Sequence, residues 1–159
     1  MWLYELIFWA ALLIVSPYYL LRMKRRGGYA RGFLERFGIF EPSKRGRLRG
    51  LRPIWIHAVS VGEVDLALQL IEKLRMPTDG PSSGPPSESD LPPLALSTTT
   101  STGHALARQK LPADIPLFYY PVDSRLCFGR VHRLIQPVAF ILIEAELWPN
   151  HLRFCSNRN

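Results

Sequence analysis

Apolar positions crowd the amino terminus of this chain, where residues 2 to 21 read W-L-Y-E-L-I-F-W-A-A-L-L-I-V-S-P-Y-Y-L-L, broken only by Glu5 and Ser16. A run of this length, at about 1.5 Å per residue, is long enough to cross a hydrocarbon core of roughly 30 Å. The positive charges Arg22, Lys24, Arg25 and Arg26 follow the run instead of preceding it, so it predicts a retained anchor and not a cleaved signal peptide. The same flank predicts that the rest of the chain faces the cytoplasm. Glu5 and Pro17 interrupt a clean span. The alternative is an interfacial helix, with Trp2, Tyr4, Trp9, Tyr18 and Tyr19 at headgroup level.

Residues 27 to 52 are rich in Gly and Arg, fit neither a sheet nor a long helix, and read as a juxtamembrane connector. From Pro53 the pattern changes. P-I-W-I-H-A-V (53 to 59) predicts a strand, S-V-G-E (60 to 63) a tight turn, and V-D-L-A-L-Q-L-I-E-K-L (64 to 74) a helix. Pro, Ser, Gly and acidic residues dominate 76 to 93, which predicts a flexible loop. Beyond it come a strand at 94 to 100, a helix around 104 to 110, a short strand at 117 to 120, a helix over 124 to 135 and an unbroken buried strand at 138 to 144. Strands alternating with helices predict an α/β fold with a doubly wound parallel sheet.

Charge sharpens the amino-terminal reading. The net charge of +7 is concentrated in residues 22 to 52, which hold eleven Lys or Arg and two acids, leaving nine cations and eleven anions elsewhere. Cations that follow an apolar run suit anionic lipid headgroups, whereas a nucleic-acid binder carries them on its folded domain among aromatics. Nucleic acid is therefore not expected as a partner. Cys127 and Cys155 lack metal-type spacing and a framework to pair in, so both read as incidental thiols of a reducing compartment.

In open parallel sheets ligands bind beyond the carboxyl ends of the strands. Four segments occupy that position: H-A-V-S-V-G-E (57 to 63), T-T-T-S-T-G (98 to 103), Y-P-V-D (120 to 123) and E-A-E-L-W-P-N (144 to 150). Each has a bland reading: His57 as a satisfied strand-end histidine, the Thr run as a helix cap, Asp123 as an N-cap, Trp148-Pro149 as a packed corner. Their coincidence at one rim favours a site. Glu63 opens a helix after a glycine and is a candidate general base. Glu144 and Glu146 are two apart at a strand end, so if the strand persists they share a face and one projects into the cleft. Thr98 to Gly103 offers hydroxyls and a helix amino terminus suited to phosphate or sugar, without the Lys of a phosphate-cradling loop and without G-x-G-x-x-G.

These four strings, in this order behind E-R-F-G (35 to 38) and an apolar amino terminus, resemble the signature series of the 3-deoxy-D-manno-octulosonic acid (Kdo) transferases over about residues 1 to 152. The resemblance implies the amino-terminal half of a GT-B glycosyltransferase, a fold of two facing Rossmann-like domains. It implies inverting transfer of Kdo from CMP-Kdo to a lipid A precursor in lipopolysaccharide assembly, without a metal or other cofactor, at the cytoplasmic face of a bacterial inner membrane. Glu63 matches the family's general base and Glu144 a carboxylate that stabilises the transition state. Ser60, Gly62, Thr99, Thr100 and Gly103 match the acceptor site.

The organisation expected is then an anchor helix and basic flank (1 to 26), a connector (27 to 52), an acceptor-side Rossmann-like domain (53 to 152) with an insertion at 76 to 93, and a short tail (153 to 159) where the donor-binding domain would begin. Anionic membrane lipids, the lipid A precursor and CMP-Kdo are the expected partners. Without the donor half the chain is expected to be inactive alone. A membrane-tethered, non-catalytic lipid-binding module is the alternative.

Overall fold

The computed structural model describes residues 2–26, 32–76, 91–144 and 148–156. Glu146, most of the 76 to 93 insertion and the last three residues lie outside them. Four strands, β1 (Ile54–Ala58), β2 (Leu94–Thr98), β3 (Leu117–Tyr119) and β4 (Ala139–Leu142), form one parallel sheet in the order β3-β2-β1-β4. His57 pairs with Ser97 on one side and Leu142 on the other.

The period of two along β1 sorts its residues between two cores. Trp55 packs with Ala95, Phe118, Tyr120, Phe128, Val131 and Ile135 on one face of the sheet. Ile56 and Ala58 pack with Val64, Ala67, Ile71, Leu96 and Ala107 on the other. Helices α3 (Val61–Arg75) and α4 (Ser101–Lys110), which follow β1 and β2, cover the second face. Helix α5 (Arg125–Ile135) carries the chain from β3 over the first face to β4 at the opposite edge. That reversal makes the sheet doubly wound, as expected. Hydroxyls start each of the three helices: Ser60 caps α3, Thr100 caps α4 and Ser124 caps α5. Each cap contributes about 1 kcal/mol.

Three differences from the sequence reading have physical causes. Strand β4 ends at Leu142 and is half-buried, not buried, because it pairs only with β1 and forms an edge among the described residues. The segment read as a connector contributes a 3-10 turn (Phe33–Phe37) and helix α2 (Pro42–Leu48), and Phe40 and Leu48 enter the core beside Trp55. A further helix, α6 (Pro149–Ser156), begins at the proline of L-W-P-N and lays Phe154 against Phe128.

Helix α1 (Trp2–Arg26) spans the apolar amino terminus. Among the described residues no helix is long and apolar enough to cross a membrane. Glu5, which looked like a defect in a span, has a docking role: its Oε1 accepts the first amide of α5, from Arg125, at 2.8 Å. A carboxylate there also meets the positive end of the α5 dipole.

Candidate functional site

The direction of winding changes between β1 and β4. α3 leaves β1 toward one face and α6 packs on the other, against α5, so the carboxyl ends of these two neighbouring strands border a crevice of the kind that receives ligands in this fold class. The 58 to 63 loop supplies one wall. Ser60 and Gly62 are exposed, while Glu63 is 5% exposed and closes a reciprocal capping box. Its Oε2 accepts the Val59 amide at 2.8 Å and its Oε1 the Ser60 amide at 3.0 Å, while Ser60 Oγ accepts the Glu63 amide at 3.4 Å. Burial pushes the Glu63 carboxyl up, but hydrogen bonds from the Val59 amide and from the side chain and amide of Ser60 outweigh it and hold the group below its usual range. It is therefore ionised at neutral pH. Each carboxylate oxygen has a second lone pair, so the cap leaves acceptor capacity unused.

The two glycines differ in kind. A Cβ at Gly62 would meet nothing within 4 Å, so packing does not require the glycine and the first turn of α3 is left open. At Gly103 a Cβ would lie 2.9 Å from Thr100 Oγ1 and 3.3 Å from Val64 Cγ2, so this glycine lets α4 approach α3.

The Thr run braces this wall. Thr100 Oγ1 donates to Val59 O at 2.8 Å and accepts the Gly103 amide at 3.1 Å, which ties the loop after β2 to the loop after β1. Thr99 Oγ1 lies 3.4 Å from His57 Nε2, and His57 Nδ1 lies 3.1 Å from Ser97 O. A carbonyl only accepts, so Nδ1 carries the proton and Nε2 accepts from the Thr99 hydroxyl. Burial lowers His57 to about 4, so it is a neutral positioning group stacked 3.9 Å from the Tyr120 ring. The bland reading of His57 holds, with a consequence: it orients Thr99.

Glu144 is exposed and stands one residue beyond the last bond between β4 and β1, Ile143 N to His57 O at 3.1 Å. The structure thus places Glu63, Ser60, Gly62, Thr99 and Thr100 around one rim with Glu144 at the neighbouring strand end, and buries Gly103 behind them. The facing of Glu144 and Glu146 depends on residues 145 to 147, outside those described. Among the described residues no three His, Cys, Asp or Glu side chains group so as to hold a metal ion.

One element of this rim escaped the sequence reading, and another has a role that reading did not assign. Arg36 Nη2 donates to Thr99 O at 2.7 Å, its guanidinium lies 4.3 Å from the centre of the Tyr119 ring, and its carbonyl accepts the Val122 amide at 2.8 Å. The neighbouring Glu35 accepts the Tyr119 amide at 3.0 Å and pairs with Lys44. The only signal for this clamp was the E-R-F-G string itself. Asp123, read as an N-cap, is 3% exposed and holds three elements together while Ser124 does the capping. It accepts from Tyr4 Oη at 2.8 Å and from the amides of Asn150 and His151 at 3.2 Å.

Comparison with known proteins agrees with the motif resemblance. Residues 31–159 match the family model described as 3-deoxy-D-manno-octulosonic-acid transferase (kdotransferase). The chain is similar to a 3-deoxy-D-manno-octulosonic acid transferase of Haemophilus influenzae, at 31% identity over 82% of this chain and 27% of that protein. It is also similar to a protein of Arabidopsis thaliana named as a probable mitochondrial transferase of the same kind, at 33% identity over 86% of this chain and 28% of that protein. A Bordetella pertussis transferase is 32% identical over 92% of this chain and 33% of its own length. The chain therefore spans about a third or less of these relatives.

Proposed function

The chain belongs to the 3-deoxy-D-manno-octulosonic-acid transferase family, and on that premise we propose that it forms the acceptor-side half of a GT-B enzyme that transfers Kdo from CMP-Kdo to a lipid A precursor. The observation that carries this reading is the ionised Glu63 carboxylate beside the open turn at Gly62, just past the carboxyl end of β1, the strand at which the sheet order reverses. An acceptor hydroxyl entering over Gly62 would hydrogen-bond to a free lone pair of Glu63. As its oxygen attacks the anomeric carbon, its proton passes to Glu63, the bond to CMP breaks on the opposite side, and configuration inverts. Glu144, at the neighbouring strand end, would face the positive charge that develops at the sugar. Ser60, Thr99 and Thr100 would bind sugar hydroxyls, with His57 setting the Thr99 rotor. Contacts to the departing phosphate would come from a donor-binding domain.

Helix α1 would hold the chain at the cytoplasmic face of a bacterial inner membrane. Leu6, Leu13 and Ile14 are exposed along it, and a basic cluster follows, which supports an interfacial position among anionic lipids. Protease added to intact spheroplasts should spare residues 53 to 159; their digestion would overturn this orientation.

The same capping box supports a second reading. Both Glu63 oxygens already serve the fold, as a non-catalytic lipid-binding module would require. Fusing the chain to a relative's carboxy-terminal domain separates the two. Glu63→Gln should cut turnover by roughly 10² to 10⁴ in that fusion while leaving lipid binding nearly intact. Undiminished turnover would refute the assigned base. Robust transfer by the unfused chain would refute its dependence on a second domain.

A further inference from the structure

Helix α5 points its amino terminus at the crevice rim and its carboxyl terminus at the opposite end of the sheet. There, Gly50 N donates to Leu134 O at 2.7 Å and Arg52 N to Ile135 O at 2.8 Å, just ahead of β1. The two ends of α5 are about 16 Å apart at 1.5 Å per residue, so whatever lies at its carboxyl end is separate from the crevice. At that end, between α5 and α2, is a groove of about 530 Å³ lined by Arg45, Arg49, Arg130 and Arg133, with Gly50 and Gln136 in its wall. Among the described residues no acidic side chain lines it. The salt bridges among the described residues, Glu35 with Lys44, Asp114 with Arg75 and Asp65 with Lys110, use none of these arginines.

Arginines near helix carboxyl ends have an ordinary explanation, since they oppose the helix dipole. Here the magnitudes do not balance. Two helix ends supply about half a negative charge each, against four guanidinium charges, leaving an excess of roughly three. Arg130 also donates to Phe37 O, at 3.3 Å, but a backbone acceptor removes no charge. Bringing four like charges to one groove costs energy that a multiply charged anion would return. Guanidinium forks match phosphate oxygens two at a time, which a single carboxylate cannot exploit four times over.

We propose that this groove binds a phosphate-bearing group of two or more negative charges, either a free phosphate compound or the headgroup of a lipid. The site requires nothing of the crevice chemistry. It is tested on the full chain, held in detergent for the calorimetry and freed of detergent for the vesicle arm, comparing wild type with Arg45→Gln/Arg133→Gln and with Lys73→Gln/Arg108→Gln, which removes equal charge from α3 and α4. Inorganic pyrophosphate is titrated by calorimetry. Phosphatidylcholine vesicles with and without phosphatidic acid are sedimented with each protein. Loss of pyrophosphate affinity by about tenfold or more in the groove variant alone establishes the site with a free anion. Pyrophosphate silent, but the gain in vesicle binding from phosphatidic acid reduced in the groove variant alone, assigns it to a lipid headgroup, since both variants keep α1 and its basic flank. Equal losses in the two variants, or no binding of either probe, overturn the proposal. Should the double variant fail to fold, Arg49→Gln is read by the same outcomes.

Discussion

The backbone amide of Val59, the first residue after β1, donates to Glu63 Oε2 at 2.8 Å, so the carboxylate proposed to take a proton also fastens the strand to its helix. Loss of the side chain and loss of its charge should therefore separate. Glu63→Gln keeps an acceptor oxygen and should cost about 1–2 kcal/mol of stability. Glu63→Ala orphans the amides of Val59 and Ser60 and should cost about 2–4 kcal/mol. Urea unfolding of the two variants checks this, and equal costs would mean that the cap contributes little.

Substitutions at the two site glycines should move stability in opposite directions. Gly62→Ala enters open space in the first turn of α3 and should stabilise by up to about 1 kcal/mol, while narrowing the crevice mouth. Gly103→Ala forces Thr100 Oγ1 and Val64 aside and should cost about 1–3 kcal/mol. Thermal unfolding of both proteins reads the signs directly.

Asp123→Ala should loosen two helices from the 120 to 124 loop at once, since Tyr4 of α1 and the Asn150 and His151 amides of α6 all donate to its carboxylate. A cost of about 2–4 kcal/mol is expected from the unmet buried amides. Hydrogen exchange should accelerate in α1 and α6 while β1 and β2 stay protected. Uniform acceleration across the sheet would show that Asp123 supports the core instead.

Acid should unfold the chain through its histidines. Burial lowers His57 to about 4 and His104 and His151 to about 3. All three are neutral in the fold but take up protons in the unfolded chain below about 6.5, so the unfolded state binds more protons and stability falls as pH drops. The loss should set in near pH 6.5 and steepen toward pH 4, approaching about 4 kcal/mol per pH unit if all three contribute. Glu63, held below its usual value, adds to the loss below its unfolded pKa. Denaturant midpoints measured from pH 7 to pH 4.5 test this; a flat profile would mean that these histidines protonate without unfolding.

The strand-turn-helix from Pro53, the Thr run and the parallel alternation were legible in the sequence because they depend on local periodicity and capping. The clamp at Arg36 was not, because it rests on single hydrogen bonds to Thr99 and Val122, far away in sequence, and polar residues among glycines carry no period. Glu5 looked wrong for an apolar run because its partner, the Arg125 amide, is 120 residues distant. The string V-A-F-I-L-I read as interior, since composition does not distinguish a central strand from an edge strand when both are wholly apolar. Helix α6 had a readable start in Pro149, a residue favoured at the first helical position.

The strand order also sets a timetable for synthesis. β1 emerges from the ribosome early and finds β2 after about forty residues, but its other neighbour, Leu142 opposite His57, comes some eighty-five residues after it. At roughly 5–20 residues per second, the β4 side of β1 stays unpaired for about 4–17 s in the nascent chain. Through that interval Trp55 and His57 wait for α5 to cover them and for β4 to pair beside them. Chaperone capture should therefore peak at nascent lengths between β2 and β4.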